Sequence, residues 1–227
     1  MNFALLVVPV LLSITLLILW LRWQKAIRAE FIRTHALPMG LFEKLRLKHP
    51  ELTRKDCQLV SHALRQYFLT HLKSGYKYVS MPSQVTDDLW HEFILYTKQY
   101  DHFCKRAFGR FFHHSPAVVL SSQRISNAGL RRCWWFACLE ENINPRKPTR
   151  LPLLFAIDAK LKINNGFRYS TNCKSLNSRT SHDGSVTYCG GDFASTDIDG
   201  STDGFGDSSF GDAGDAGGGC GGGCGGD

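Results

Sequence analysis

Among 227 residues and eight cysteines there is no CxxC pair, which excludes the zinc-ribbon and thioredoxin-type sites built on that spacing. The HExxH and HxxE spacings that place two metal ligands on one helical face are missing as well. No nucleic-acid-binding motif occurs, so the net charge of +7 does not by itself argue for a nucleic-acid partner. Acidic residues are scarce over residues 1–168, where 25 Lys and Arg face 11 Asp and Glu for a net of +14. The balance reverses over residues 169–227, where 2 face 9 for a net of −7, giving the +7 of the whole chain. A basic body with an acidic tail fits a surface held close to anionic lipid.

Charge is absent altogether from residues 3–21, FALLVVPVLLSITLLILWL. Nineteen helical residues rise about 28 Å, close to the hydrocarbon thickness of a bilayer. A cleaved signal peptide needs a basic leading region and a small-residue cleavage site, and neither is present. Trp20 and Trp23 fall where an interfacial aromatic belt lies, and Arg22, Lys25, Arg28 and Arg33 follow with no Lys or Arg before the run. Positive-inside reasoning then puts the N-terminus outside and the remainder in the cytoplasm, across a cell inner (plasma) membrane in a single pass. Trp20, Arg22, Trp23, Lys25 and Arg28 are the expected interface residues, and a cytoplasmic body keeps its cysteines reduced.

Leu37-Pro38 ends the first helix. Leu41, Phe42, Leu45 and Leu47 predict a short amphipathic helix before Pro50. Thr53 and Asp56 predict a capping box for a helix carrying Leu59, Val60, Ala63, Leu64, Tyr67, Phe68 and Leu72 and stopped by Gly75. Tyr76 to Met81 reads as extended.

Residues 81–116 hold four of the nine histidines. A helix starting at Ser83 or Thr86 and ending at Gly109 gathers Trp90, Phe93, Ile94, Thr97, Tyr100, Cys104, Ala107 and Phe108 on one apolar arc. His91 falls beside that arc, one turn after Asp87, where a carboxylate fixes an imidazole's tautomer and leaves its other nitrogen free. His102 lies three turns further along. Phe111-Phe112 return to the core, and His113-His114 sit at a turn before Ser115-Pro116, with only one of the pair able to face His91. Asp87, His91 and one of His113 or His114 would offer two imidazoles and a carboxylate, a donor set suited to zinc or non-haem iron with open positions.

The run Asp87-Asp88-Leu89-Trp90-His91-Glu92-Phe93-Ile94-Leu95, with Thr97, Tyr100, Phe103-Cys104 and Gly109-Arg110-Phe111-Phe112-His113-His114, resembles the bacterial members of the glycine-rich domain-containing protein family. The D-x-x-W-H element of that family is matched by Asp87 to His91. The resemblance spans about residues 75–145, and Leu151–Ile163 resembles the family too. It implies one structural unit without an established activity, and no catalytic role is carried over.

Ile125, Leu130, Cys133, Trp134, Phe136, Ala137, Cys138 and Leu139 predict a further helix ending near Glu140-Glu141, with the cysteines and Trp134-Trp135 as packing and Arg131-Arg132 as solvated charge. Leu151–Ile163, interrupted by Pro152 and Asp158, reads as an extended segment. Residues 197–227 hold 13 glycines and scarcely a large apolar side chain, too little to offset the entropy of ordering. Asp197 to Gly204 lacks the closing Glu of a calcium loop.

The expected class is mainly α: a transmembrane anchor and juxtamembrane helix (1–34), a compact helical cytoplasmic domain (35–168) and a disordered acidic Gly/Cys-rich tail (169–227). The reading with fewest assumptions is a membrane-anchored interaction or assembly module, in contact with the bilayer and with another membrane or cytoplasmic protein. The alternative is a metal-binding protein or metal-dependent hydrolase centred on His91. A reporter enzyme fused after Asp227 is expected to be active in the cytoplasm, and activity only outside the inner membrane would overturn the orientation.

Overall fold

The computed structural model describes residues 3–114, 128–171 and 187–189. Seven helices lie among them: α1 (Phe3–Thr34), α2 (Leu41–Lys48), α3 (Arg54–Lys73), α4 (Gln84–Leu95), α5 (Thr97–Phe108), α6 (Ala128–Glu140) and α7 (Leu153–Lys160). Two short strands, β1 (Arg168–Ser170) and β2 (Thr187–Cys189), pair in parallel with Tyr169 opposite Tyr188. The class is mainly helical, as expected. The tail beyond residue 189, with Cys220 and Cys224, the residues 115–127 that include Pro116 and Ile125, and Cys173 lie outside the described residues.

Thr53 starts the helix on which the others pack. Its hydroxyl accepts from the Asp56 amide at 3.2 Å while Asp56 accepts from the Thr53 amide at 2.9 Å, so the predicted capping box is complete. Cys57, Val60, Ala63, Leu64, Phe68 and Leu72 of α3 are all within 1% of full burial. Such breadth is possible because α1, α2, α4, α6 and α7 all pack against α3.

α1 is two things in one helix. Its apolar side chains from Val8 to Ile27 are exposed, and the helix is long and apolar enough to cross a membrane. Ser13 and Thr15 return their hydroxyls to the carbonyls of Pro9 and Leu12 at 2.8 and 2.7 Å, so both hydroxyls of the uncharged run are satisfied within the helix. Past Arg28 one face turns to the domain, where Ala29 and Ile32 are buried. Arg28 donates to the Tyr76 hydroxyl at 2.6 Å and to the carbonyl of Phe108 at 3.0 Å, placing a cation at the negative end of α5. Gly109 follows with φ 76°, and a Cβ there would stand 3.1 Å from the same guanidinium. Lys25 donates to the Lys73 carbonyl at 3.1 Å, and Arg33 grips Glu140 through two nitrogens at 3.0 and 2.8 Å.

Several expectations fail locally, among them the return of Phe111 to the core, since that residue is 41% exposed. The helix predicted from Ser83 to Gly109 breaks at Tyr96 (φ −80°, ψ 59°), whose amide bonds to Phe93 and whose hydroxyl donates to the Met39 carbonyl at 3.3 Å. His102 is therefore on a different helix from His91, and Thr97 is exposed at the start of α5 rather than in the core. Leu151–Ile163, expected to be extended, contains α7, because Pro152 caps the helix instead of breaking it and receives the amides of Phe155 and Ala156. Arg132 is not solvated charge: it is buried and donates to the Tyr78 carbonyl.

Asp158 did not break α7 because its carboxylate has work elsewhere. It accepts from the Ser83 hydroxyl at 2.7 Å and from the amides of Gln84 at 2.7 Å and Val85 at 3.2 Å, which are the unpaired donors at the start of α4. A fourth bond comes from the Phe167 amide at 2.9 Å. Gly166 permits this turn, since a Cβ there would stand 2.8 Å from the Asp158 Cβ. Burial pushes the Asp158 carboxyl up, against the pull of these donors. Asp158→Ala is expected to cost about 3 kcal/mol or more of unfolding free energy, because it orphans several buried donors at once. A denaturation midpoint indistinguishable from wild type would show that α4 does not rely on this carboxylate.

Candidate metal centre

Ser83 caps α4, accepting from the Thr86 amide at 3.2 Å, and so sets Asp87 within the first turn and His91 one turn later. The two neighbouring carboxylates divide. Asp88 faces α2, bonded to the Nε2 of His49 at 2.9 Å, while Asp87 turns inward and is 6% exposed.

His114 comes from beyond α5 and is delivered by a chain of bonds through the core. The Trp90 indole nitrogen donates to the Tyr100 hydroxyl at 3.1 Å, and that hydroxyl donates to the carbonyl of Phe112 at 2.5 Å. Phe112 lies against the Trp90 ring at 5.0 Å and 29°, and two residues later the His114 ring stands 4.5 Å from Trp90. Burial pushes the Tyr100 phenol far above its ordinary range, so it serves as a neutral strut.

The result is a three-residue cluster. His114 Nε2 lies 2.9 Å from Asp87 Oδ1. His91 Nδ1 lies 2.9 Å from the Asp87 carbonyl and 3.5 Å from Asp87 Oδ2. The two imidazole centroids are 4.0 Å apart, and one ligand atom from each of Asp87, His91 and His114 lies within 4.8 Å of the others. With Nδ1–H of His91 donated to a backbone carbonyl, Nε2 carries the available lone pair. The side-chain exposures grade from 8% at Asp87 through 13% at His114 to 47% at His91, so the cluster opens to solvent on one side.

Of the residues singled out by sequence, Asp87 and His91 come together, though the Asp87 carbonyl rather than its carboxylate holds the His91 Nδ1, and of the closing histidines it is His114 that lies against Asp87. His113 is exposed and packs on Phe111 at 4.8 Å, away from Asp87. Trp20, Arg22 and Trp23 are exposed on α1, whereas Lys25 and Arg28 reach the domain. Sequence reasoning missed the roles of Tyr100 and Asp158: the first read as apolar arc, and the second as an interruption. Long-range contacts alone reveal both.

Behind the cluster, His71 stacks on Phe112 at 3.9 Å and 10°, edge-on to Phe108 at 5.2 Å, with Nδ1 3.2 Å from the Lys77 carbonyl. Burial pushes its pKa down from 6.5 to about 4, and nearby Arg110 adds to the effect.

A family model described as UCP032817-like matches residues 27–193. No curated protein and no solved structure matches the chain.

Because His71 binds its proton less readily when folded, stability is complete above pH 6.5 and falls as the pH drops towards 4, by about 3 kcal/mol at the lower end. Urea midpoints taken from pH 7 to pH 4.5 should fall less steeply for His71→Gln than for wild type. Parallel curves would remove His71 as the cause.

Proposed function

The chain belongs to the UCP032817-like family, an uncharacterised one, and we propose that it is a membrane-anchored metal-binding protein whose metal centre is Asp87, His91 and His114. One observation carries the reading: a buried carboxylate and two imidazoles, brought from α4 and from the segment after α5, converge with ligand atoms within 4.8 Å. The donor set is that of zinc or non-haem iron, both of which accept nitrogen and carboxylate oxygen together. A bound ion would be held where His114 Nε2 and Asp87 Oδ1 already face each other at 2.9 Å.

Three protein ligands leave at least one position for water, on the side where His91 is exposed. A water held by zinc has its pKa lowered to about 7, and hydrolysis is the chemistry such a centre supports. The backbone carbonyl on His91 supplies the orienting contact from outside the ligand set that metal-bound imidazoles require.

The exposed apolar stretch of α1 supports a single-pass anchor, and the basic residues that follow it, Arg22, Lys25 and Arg28, support placing the domain on the cytoplasmic side. Trp20, Arg22 and Trp23 would lie at the lipid interface. Lys25 and Arg28, bonded to the domain, hold it directly beneath the bilayer.

Equilibrium dialysis of the full chain in neutral detergent against Zn(II) or Fe(II), followed by elemental analysis, tests the centre. One ion per chain is expected, with affinity reduced at least about tenfold in His91→Ala and in His114→Ala and unchanged in His113→Ala. A chain that keeps no ion, or variants that bind as wild type does while keeping their helical circular dichroism, would leave the interaction-module reading in its place.

A further inference from the structure

A second candidate site lies against the first turns of α3. The linker at residues 35–40, α2 and α3 enclose a cavity of about 470 Å³ whose walls carry Arg46, Arg54 and Arg65 against a single carboxylate, Glu43. Among the described residues, none of the three arginines lies within 4 Å of a carboxylate. Three like charges around one cavity repel, and an anion between them reverses the sign of that interaction.

Two of these side chains are held in place by the fold. Arg65 donates to the His35 carbonyl at 3.0 Å and to the Ser61 hydroxyl at 2.9 Å, and its Nε is buried with no partner. Arg46 donates through Nε to the Leu52 carbonyl at 3.0 Å, which leaves its two terminal nitrogens for a ligand. Arg54 is the first residue of α3, at the positive end of the helix dipole, where a cation is unfavourable unless an anion accompanies it. Pro38, Met39 and Phe42 complete the wall with apolar surface.

We propose that this cavity binds a soluble phosphate-bearing molecule, its phosphate held between Arg46, Arg54 and Arg65 and its organic part against Phe42 and Pro38. Guanidinium groups suit phosphate because their paired N–H donors match two of its oxygens. Position selects a soluble ligand over a lipid headgroup. From Leu21, the end of the apolar run, to Thr34 is thirteen residues of α1, or about 20 Å of rise along an upright helix. That exceeds the screening length of about 8 Å at physiological salt.

Inorganic pyrophosphate serves as the probe, titrated into the full chain in neutral detergent at constant ionic strength, with EDTA present so that no ion at Asp87, His91 and His114 contributes. Saturable binding followed by ³¹P NMR is expected, weakened at least tenfold in Arg54→Gln and in Arg46→Gln, with the melting temperature of unliganded Arg54→Gln unchanged. Arg65→Lys provides a third test in which the charge is kept and the paired donors are lost. Binding that tracks total anion without saturating, or equal binding by wild type and all three variants, overturns the site. The same titration in nanodiscs compares phosphatidylcholine alone with a mixture containing phosphatidylglycerol. Pyrophosphate binding abolished by the anionic lipid would make the occupant a headgroup and overturn the soluble ligand.

Discussion

The candidate site depends first on a single carboxylate that is not part of it. Asp158 accepts the hydroxyl of Ser83 and the amides of Gln84 and Val85, and so closes the start of α4 from a helix more than seventy residues later in the chain. The two amides have no partner within their own helix. With them satisfied, α4 begins at a defined residue, and Asp87 and His91 take a defined direction. The fourth bond, from Phe167, ties the same carboxylate to the turn that leads into β1, where Tyr169 donates to the Pro82 carbonyl at 3.1 Å. One buried charge therefore fixes the beginning of α4 from two sides.

The second half of the site is positioned through aromatic packing. His71, Phe112, Trp90, His114 and His91 follow one another as neighbouring rings from the core to the surface. The bonds from Trp90 to Tyr100 and from Tyr100 to Phe112 set the height of that column. An imidazole held this way loses little further freedom on meeting an ion, which is what preorganisation of a metal centre requires. The neutral His71 at the inner end keeps charge out of the core while the outer end stays polar.

α1 connects the domain to its surroundings without a hinge. Arg28 bonds at the end of α5, and Arg33 and Lys73 meet on Glu140 of α6, whose carboxyl is held down by the two cations against the opposing effect of burial. The helix that carries the exposed apolar residues is thus part of the domain's own packing from Arg28 onward. The arginine cavity lies just past its end, where the linker turns back into α2.

Patterns local to a few turns were legible in the residues alone. The long apolar helix, the capping box at Thr53, the stops at Gly75 and Gly109, the burial of Cys104, Cys133 and Cys138, and the pairing of Asp87 with His91 all follow from spacings that one helix imposes on itself. The break at Tyr96 was hidden, because it is stabilised by a contact with Met39, fifty-seven residues earlier. α7 was hidden because an apolar segment of that length reads equally well as strand or helix. The choice of His114 over His113 was decided only by the fold, through the Tyr100 bond to Phe112, since adjacent side chains in an irregular segment have no period to tell them apart. What the chain determined by itself was the inventory of candidate side chains and most of the helices. Which of those side chains meet is a matter of long-range packing and of buried donors finding acceptors, and that belongs to the tertiary structure.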